Sequence, residues 1–257
     1  MNSSSTSPDR RDTIWQDPEL ARTFLEGVRG AIPLAAEQID IILRIVAQTR
    51  GKLDSFLDLG CGDGILGRSL HQKYPDAKGI FLDFSPAMLE AARQNFTEIP
   101  NHLRFVAGDF GAENWHDRLT SEMEEFNLSH FDAIVSGFAI HHQSDLDKQR
   151  IYRDIFAFLK PGGLFLNLEH VSSRSPWGET LFNELFIDSL YRFHQTRESG
   201  KTREEIAREF YHRDDKNANI LAPIESQCRW LENIGFIDVD CFFKIFELGL
   251  FGGVKPV

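Results

Sequence analysis

The run Asp58-Leu59-Gly60-Cys61-Gly62-Asp63-Gly64 constrains this chain more than any other stretch. It follows a short apolar segment, Ser55-Phe56-Leu57, and precedes a helix-like segment from Ile65 to Tyr74. Glycines at alternate positions therefore sit where a strand turns into a helix. Glycine reaches positive φ without steric cost and lets a ligand lie directly on the main chain. The helix behind such a turn offers free N–H groups and the positive end of its dipole. Downstream, strand-like and helix-like segments alternate at 54–59, 64–74, 78–83, 86–96, 103–107, 131–136, 145–159 and 163–169. That alternation predicts an α/β, doubly wound, mostly parallel sheet with crossover helices. Such sheets take ligands at the C-terminal ends of their strands, near the point where strand order reverses. Asp58, Asp83, Asp109 and Ser136 fall at predicted strand ends, which gathers them at one site.

The glycine spacing narrows the ligand. Dinucleotide-binding folds use Gly-x-Gly-x-x-Gly to seat a pyrophosphate. Here the third glycine comes one residue early and position 65 is Ile. The run instead resembles the first motif of class I S-adenosylmethionine (SAM) methyltransferases, acidic-x-Gly-x-Gly-x-Gly. Four further segments carry the same resemblance in order. They are Gly79-Ile80-Phe81-Leu82-Asp83 followed by Phe84-Ser85-Pro86-Ala87-Met88, then Leu103 to Phe110, Phe131 to Ser136, and Leu159 to Leu166. The match covers roughly residues 52 to 170.

The resemblance implies SAM as cofactor. It implies that the loop N–H groups around Gly60, Cys61 and Gly62 take the methionine carboxylate and that Asp58 takes the ammonium. Asp83 would accept from both ribose hydroxyls, since a carboxylate has two oxygens. Phe84, Met88, Asp109, Phe110 and Ser136 complete the expected cofactor set. The resemblance also implies seven strands with the last antiparallel, supplied here by a hairpin from Phe236–Phe242 and Ile245–Phe251.

Around this core, at 51–171, the chain divides further. Residues 1–12 read as a disordered tail. Residues 13–50 read as two helices, Glu19 to Arg29 and Pro33 to Gln48, separated by Gly30. They would form an N-terminal helical lid with Trp15 and Phe24 as pocket walls. Residues 172–222 read as a helical cap insertion, whose second helix opens with Thr202 and Glu205 spaced as a capping box. Residues 223–257 hold the last helix and the hairpin. The acidic segment Gly111 to His130 is expected to cover an edge of the sheet and receives no function.

Formal net charge is −11, whereas a phosphate-backbone binder collects Lys and Arg. Nucleic acid is thus disfavoured as a partner. No apolar run is long enough to cross a bilayer, and the Ser-rich N-terminus is no secretory signal. Three cysteines at unrelated spacings fit a reduced, cytoplasmic protein. A homodimer is left open.

His141, His142 and His170 follow the fourth and fifth predicted strands, flanking the place where the reactive methyl should lie. They are the catalytic candidates, as base, substrate orienter or metal ligand, the last by convergence of His142, Glu169 and His170 with His194 or His212. No histidine pair has a helical metal spacing, and no metal is expected. Cys61 is read as a small residue in a tight loop. The expected activity is in-line methyl transfer from SAM to a small, partly apolar acceptor. Two alternatives stand beside it. The C-terminal part, Ile224 to Gly253, is also similar to enzymes that move a carboxymethyl group from carboxy-SAM to tRNA wobble uridine. That cofactor would need a buried cation, for which Arg174, Arg192 and Arg197 are the cap candidates. A non-catalytic SAM-binding protein should have lost the ribose acid or a loop glycine, yet Asp83, Gly60, Gly62 and Gly64 are all present.

Overall fold

The computed structural model describes residues 10–257. Among these, seven strands form one sheet: β1 (Ser55–Leu59), β2 (Lys78–Asp83), β3 (Leu103–Ala107), β4 (Phe131–Gly137), β5 (Leu159–His170), β6 (Ile237–Ile245) and β7 (Leu248–Val254). Their order is β3-β2-β1-β4-β5-β7-β6. β7 runs antiparallel to both β5 and β6, and the other pairs are parallel. Order reverses between β1 and β4, so the cleft at their C-terminal ends is the natural ligand site.

The helices are α1 (Pro18–Thr23), α2 (Ala35–Arg50), α3 (Ile65–Lys73), α4 (Pro86–Gln94), α5 (Trp115–Glu125), α6 (Asp145–Phe158), α7 (Pro176–Thr196), α8 (Arg203–Tyr211) and α9 (Ile224–Ile234). β1 is buried at every position, as a strand covered on both faces must be. Its residues alternate between two cores. Leu57 and Leu59 join the layer holding Trp115, Tyr152 and Phe236, whereas Phe56 joins the layer holding Val46, Leu70 and Leu89.

The acidic segment from Gly111 to His130 does more than cover an edge. It contains α5, which crosses from edge strand β3 toward β4 and buries Trp115, Leu119 and Met123 at four-residue spacing. The apolar stripe is only one residue wide per turn, so the polar composition masked it. The N-terminal region also departs from two plain helices. α1 continues through a π turn at Phe24–Val28 and a 3₁₀ turn at Arg29–Ala31. Gly30 lies inside this rod rather than between helices. A β-carbon there would stand 2.3 Å from the Phe193 ring, so glycine is what lets α7 dock on the rod. Ala31, Ile32, Phe182, Phe186, Leu190 and Phe210 form a third core that joins the N-terminal rod to the 172–222 segment.

Residues 1–9 of the expected tail lie outside the described residues. Arg10 and Asp12 are held in place: Arg10 pairs with Asp12 and with Asp109, and Asp12 is buried and accepts from Gln143 at 2.8 Å. No helix among the described residues is long and apolar enough to cross a membrane.

At the far end of the sheet, Asp132 ties three strands together. Its carboxylate accepts from the Asp54 and Ser55 N–H groups, at 3.1 and 3.0 Å, and from Lys160 Nζ at 2.8 Å, and it pairs with Arg50. Burial alone would push its pKa up, but Lys160 and Arg50 outweigh burial and hold it below the usual value. A depressed carboxylate stabilises the fold above its unfolded pKa and loses that contribution as pH falls through the folded value. Asp132→Asn is therefore expected to lower the thermal midpoint at pH 7, by roughly 2–4 °C per kcal/mol lost. The difference from wild type should shrink in acid; an equal gap at both pH values in calorimetry would refute the charge argument.

Candidate active site

The loop after β1 is built by two carboxylates. Gly60, Gly62 and Gly64 have φ of 67°, 54° and 75°, which other residues reach only with strain. Asp83, at the end of β2, accepts from the Gly62 N–H at 2.8 Å and from the Ser85 N–H at 2.8 Å. Asp58 accepts from the Gly67 N–H at 2.8 Å in the first turn of α3. Both acids are buried and face one continuous cleft. Burial pushes Asp58 up to about 8; Asp63 and Asp83 push the same way against the Gly67 N–H and Arg29. Burial likewise pushes Asp83 up to about 6, against three backbone N–H groups.

The cleft encloses about 410 Å³ and brings most of the expected residues together. Asp58, Gly60, Cys61, Gly62, Asp83, Phe84, Met88, Asp109 and Phe110 all line it. Ser136 does not. Its hydroxyl is fully buried and donates to the Leu59 carbonyl at 2.7 Å, locking β4 to β1. Cys61 is buried, and burial pushes its thiol well above the ordinary range, so it stays protonated and inert.

Three features fit the cleft to SAM. A β-carbon on Gly62 would project into open cleft, with nothing within 4 Å, where a ligand can lie on the backbone. The Ser85 hydroxyl is buried, lines the cleft beside Asp83 and has no protein partner among the described residues. Arg29 donates from Nε to Asp63 at 3.3 Å and lines the same end, which leaves its terminal N–H groups for an anion. Neither Ser85 nor Arg29 was in the expected cofactor set, although Ser85 lies within the Phe84–Met88 segment. Ser85 could have been read from its place two residues after Asp83, whereas nothing in the sequence brings Arg29 to the loop.

The second half of the cleft is a chamber over the ends of β4 and β5. A 3₁₀ turn, Ile140–His142, turns both histidines toward it. His141 Nδ1 donates to Glu169 Oε1 at 2.6 Å, and both groups are buried. Glu169 also accepts from the Asn167 amide and the His170 N–H. Asn167 in turn donates to Tyr152, whose hydroxyl donates to Gln227 at 2.6 Å. The sequence offers Glu169 only as a metal ligand beside His142 and His170, and not as the partner of His141. Burial pushes Glu169 up to about 7 and pushes His141 well below its ordinary value.

His142 donates from Nδ1 to the Ala218 carbonyl at 3.2 Å and packs against Trp15; burial pushes it down to about 3. It forms neutral wall. His170 donates from Nε2 to Glu247 at 2.9 Å and packs on Phe182. His141 and His170 each have a carboxylate on one ring nitrogen, but only the His141 pair is buried on both sides, and its second nitrogen points away from Glu169. No group of three or more His, Cys, Asp and Glu side chains placed to hold a metal occurs among the described residues.

The proposed cap cations lie elsewhere. Arg174 is exposed and pairs with Glu225, Arg192 is exposed, and Arg197 covers the Phe193 ring. Arg213 and Lys216, from the turn after α8, line the chamber instead.

Residues 56–163 match the methyltransferase domain family. Over those residues the chain resembles a methyltransferase domain, and its fold is that of solved SAM-dependent methyltransferases. The strand order and the antiparallel β7 agree with solved methyltransferases over nearly the whole chain. Human N-acetylserotonin methyltransferase, solved with SAM, superposes with a TM-score of 0.60 at 17% identity, covering 98% of this chain and 60% of that one. Mitomycin 7-O-methyltransferase superposes with a TM-score of 0.56 at 17% identity, covering 96% and 60%. The chain thus spans about three-fifths of those chains. Among curated proteins, carboxy-SAM synthase of Nautilia profundicola is 23% identical over 89% of this chain and 88% of its own. Ribosomal RNA large subunit methyltransferase G of Shewanella halifaxensis is 31% identical over 61% of this chain and 37% of its own.

Proposed function

We infer that this methyltransferase acts on a hydroxyl of a small, partly apolar acceptor held in the chamber, with His141 as general base. The buried His141–Glu169 pair, at 2.6 Å, carries the reading. SAM, when bound, supplies a methyl carbon activated by its sulfonium, and the departing thioether is neutral and needs no acid. The protein's task is then to align the acceptor, exclude water and take its proton. Phe182, Phe186 and Leu248 supply apolar walls. Trp15 closes the chamber from the N-terminal segment. With Glu169 ionised, Nδ1–H points at the carboxylate and Nε2 keeps its lone pair for the acceptor O–H. Orientation of this kind is worth ~7–11 kcal/mol in favourable cases, and base catalysis adds ~10²–10⁴-fold.

A second reading has its own support. Likeness to carboxy-SAM synthases runs over almost the full chain, and two cations line the chamber where an added carboxylate would sit. Native mass spectrometry of the purified protein separates the two: the first reading expects SAM or S-adenosylhomocysteine (SAH), the second a SAM heavier by one CO₂. Incubation with methyl-labelled SAM and a panel of small phenols should then place label in the small-molecule fraction. Label appearing in RNA alone would refute the small-acceptor reading.

A further inference from the structure

Lys216 stands apart from every other charged group of the chamber. Arg213 is held by Asp215, with Nε at 2.9 Å from Oδ1. Glu247 is held by His170 at 2.9 Å and by the Ser173 N–H at 3.1 Å. Asp12 is held by Arg10 and Gln143. Glu179 is exposed at the mouth, where water serves it. Lys216 is half-buried, and its ammonium lies 3.6 Å from the centroid of the Phe210 ring. Among the described side chains, a set that leaves out Asp214, no carboxylate lies within 4 Å of it. Burial and the neighbouring Arg213 push its pKa down to about 8, only partly opposed by Asp215, Glu179 and Glu247. A lysine drawn out of water against an aromatic face, with no carboxylate of the described side chains in contact, is an incomplete ion pair.

We propose that Lys216 receives a carboxylate on the acceptor, so that the acceptor is a hydroxylated aromatic acid lying between Lys216 and His141. The proposal rests on the reading of the chamber as the acceptor site. The walls favour an aromatic body: Phe182, Phe186 and Phe210 surround the ammonium's side of the chamber. The charge favours a monoanion. One ammonium with no carboxylate in contact among the described side chains matches one carboxylate, whereas the second charge of a phosphate dianion would face the nearby Asp215 and Glu247.

The test needs no turnover. Benzoate and benzamide are nearly identical in shape and differ in charge. Titrated into the SAH-loaded protein, benzoate should bind roughly tenfold or more tightly than benzamide. Lys216→Met, which keeps the apolar stem, should abolish that preference, and Lys216→Arg should retain it. SAH affinity and the thermal midpoint should be unchanged in both variants. No preference in the wild type, no binding of either probe at millimolar concentration, or a preference that survives Lys216→Met would overturn the proposal. Failure to bind SAH at all would instead refute the methyltransferase reading on which it stands.

Discussion

Alanine at position 141 is expected to lower methyl-transfer turnover by ~10²–10⁴-fold, with SAM affinity changed by about twofold or less. The expectation comes from direction as much as from proximity. His141 Nδ1 is committed to Glu169, so the other ring nitrogen is the one available to an acceptor. The pair also sets a pH dependence. Burial raises Glu169 to about 7 and lowers His141, so the proton lost near neutrality leaves from the carboxyl side. Below that pH the protonated carboxyl donates to Nδ1, the ring proton moves to Nε2, and no lone pair faces the acceptor. Above it, Nδ1–H donates to the carboxylate and Nε2 is a base. Turnover should therefore fall as pH drops through about 7. Glu169→Gln should lower turnover and flatten that limb, because an amide cannot titrate. Normal turnover in His141→Ala with the true acceptor would mean that alignment alone drives transfer and the dyad is structural.

The same stability logic applies to Glu169 with opposite sign to Asp132. Its folded pKa lies above the unfolded value of 4.5, so its contribution is full below that value and is lost as pH rises to about 7. Acid stability and alkaline activity are thus set against each other in one buried carboxyl.

The strand ends were legible because two signals coincide there. Glycine spacing marks the turn after β1, and alternation of strand and helix places Asp58, Asp83 and Asp109 on one edge. Ser136 was misplaced by the same reasoning. Strand periodicity sends neighbouring side chains to opposite faces, and its hydroxyl found the Leu59 carbonyl before it could reach the cleft. The histidine pair was visible as a pair, but choosing between His141 and His142 needs the direction of a 3₁₀ turn. Arg10, Arg29, Arg213 and Lys216 carry no motif. Arg29, Arg213 and Lys216 reach the cleft, and Arg10 reaches Asp12 and Asp109 at its edge, from segments far away in sequence. Glu169 is intermediate: its position at a strand end was plain, but its role depends on being buried against His141.

Cofactor binding should release a proton. Asp58 is 1% exposed and burial raises it to about 8, so in the free protein at pH 7 it is mostly protonated. The ammonium of SAM favours the ionised carboxylate, and pairing with it pulls the pKa down. Calorimetric titration of SAM in two buffers of different ionisation enthalpy, at pH 7, should give roughly 0.9 proton released per cofactor. Methylthioadenosine, which lacks the amino acid end, should release none. Asp58→Asn should abolish the release and weaken SAM binding by ~1.5–3 kcal/mol, the scale for hydrogen bonds to a charged group. Affinity for methylthioadenosine should be unchanged, which separates loss of the ion pair from damage to the loop. The free protein's stability supplies an independent sign. A carboxyl raised from 3.8 to about 8 contributes fully below the lower value and loses that contribution as pH rises through the upper one. The SAM-loaded protein should show no such loss between pH 6 and 8, because the bound ammonium replaces the proton. Equal proton release by SAM and methylthioadenosine would remove Asp58 from the ammonium site, since Asp83, raised only to about 6, is already mostly ionised at pH 7.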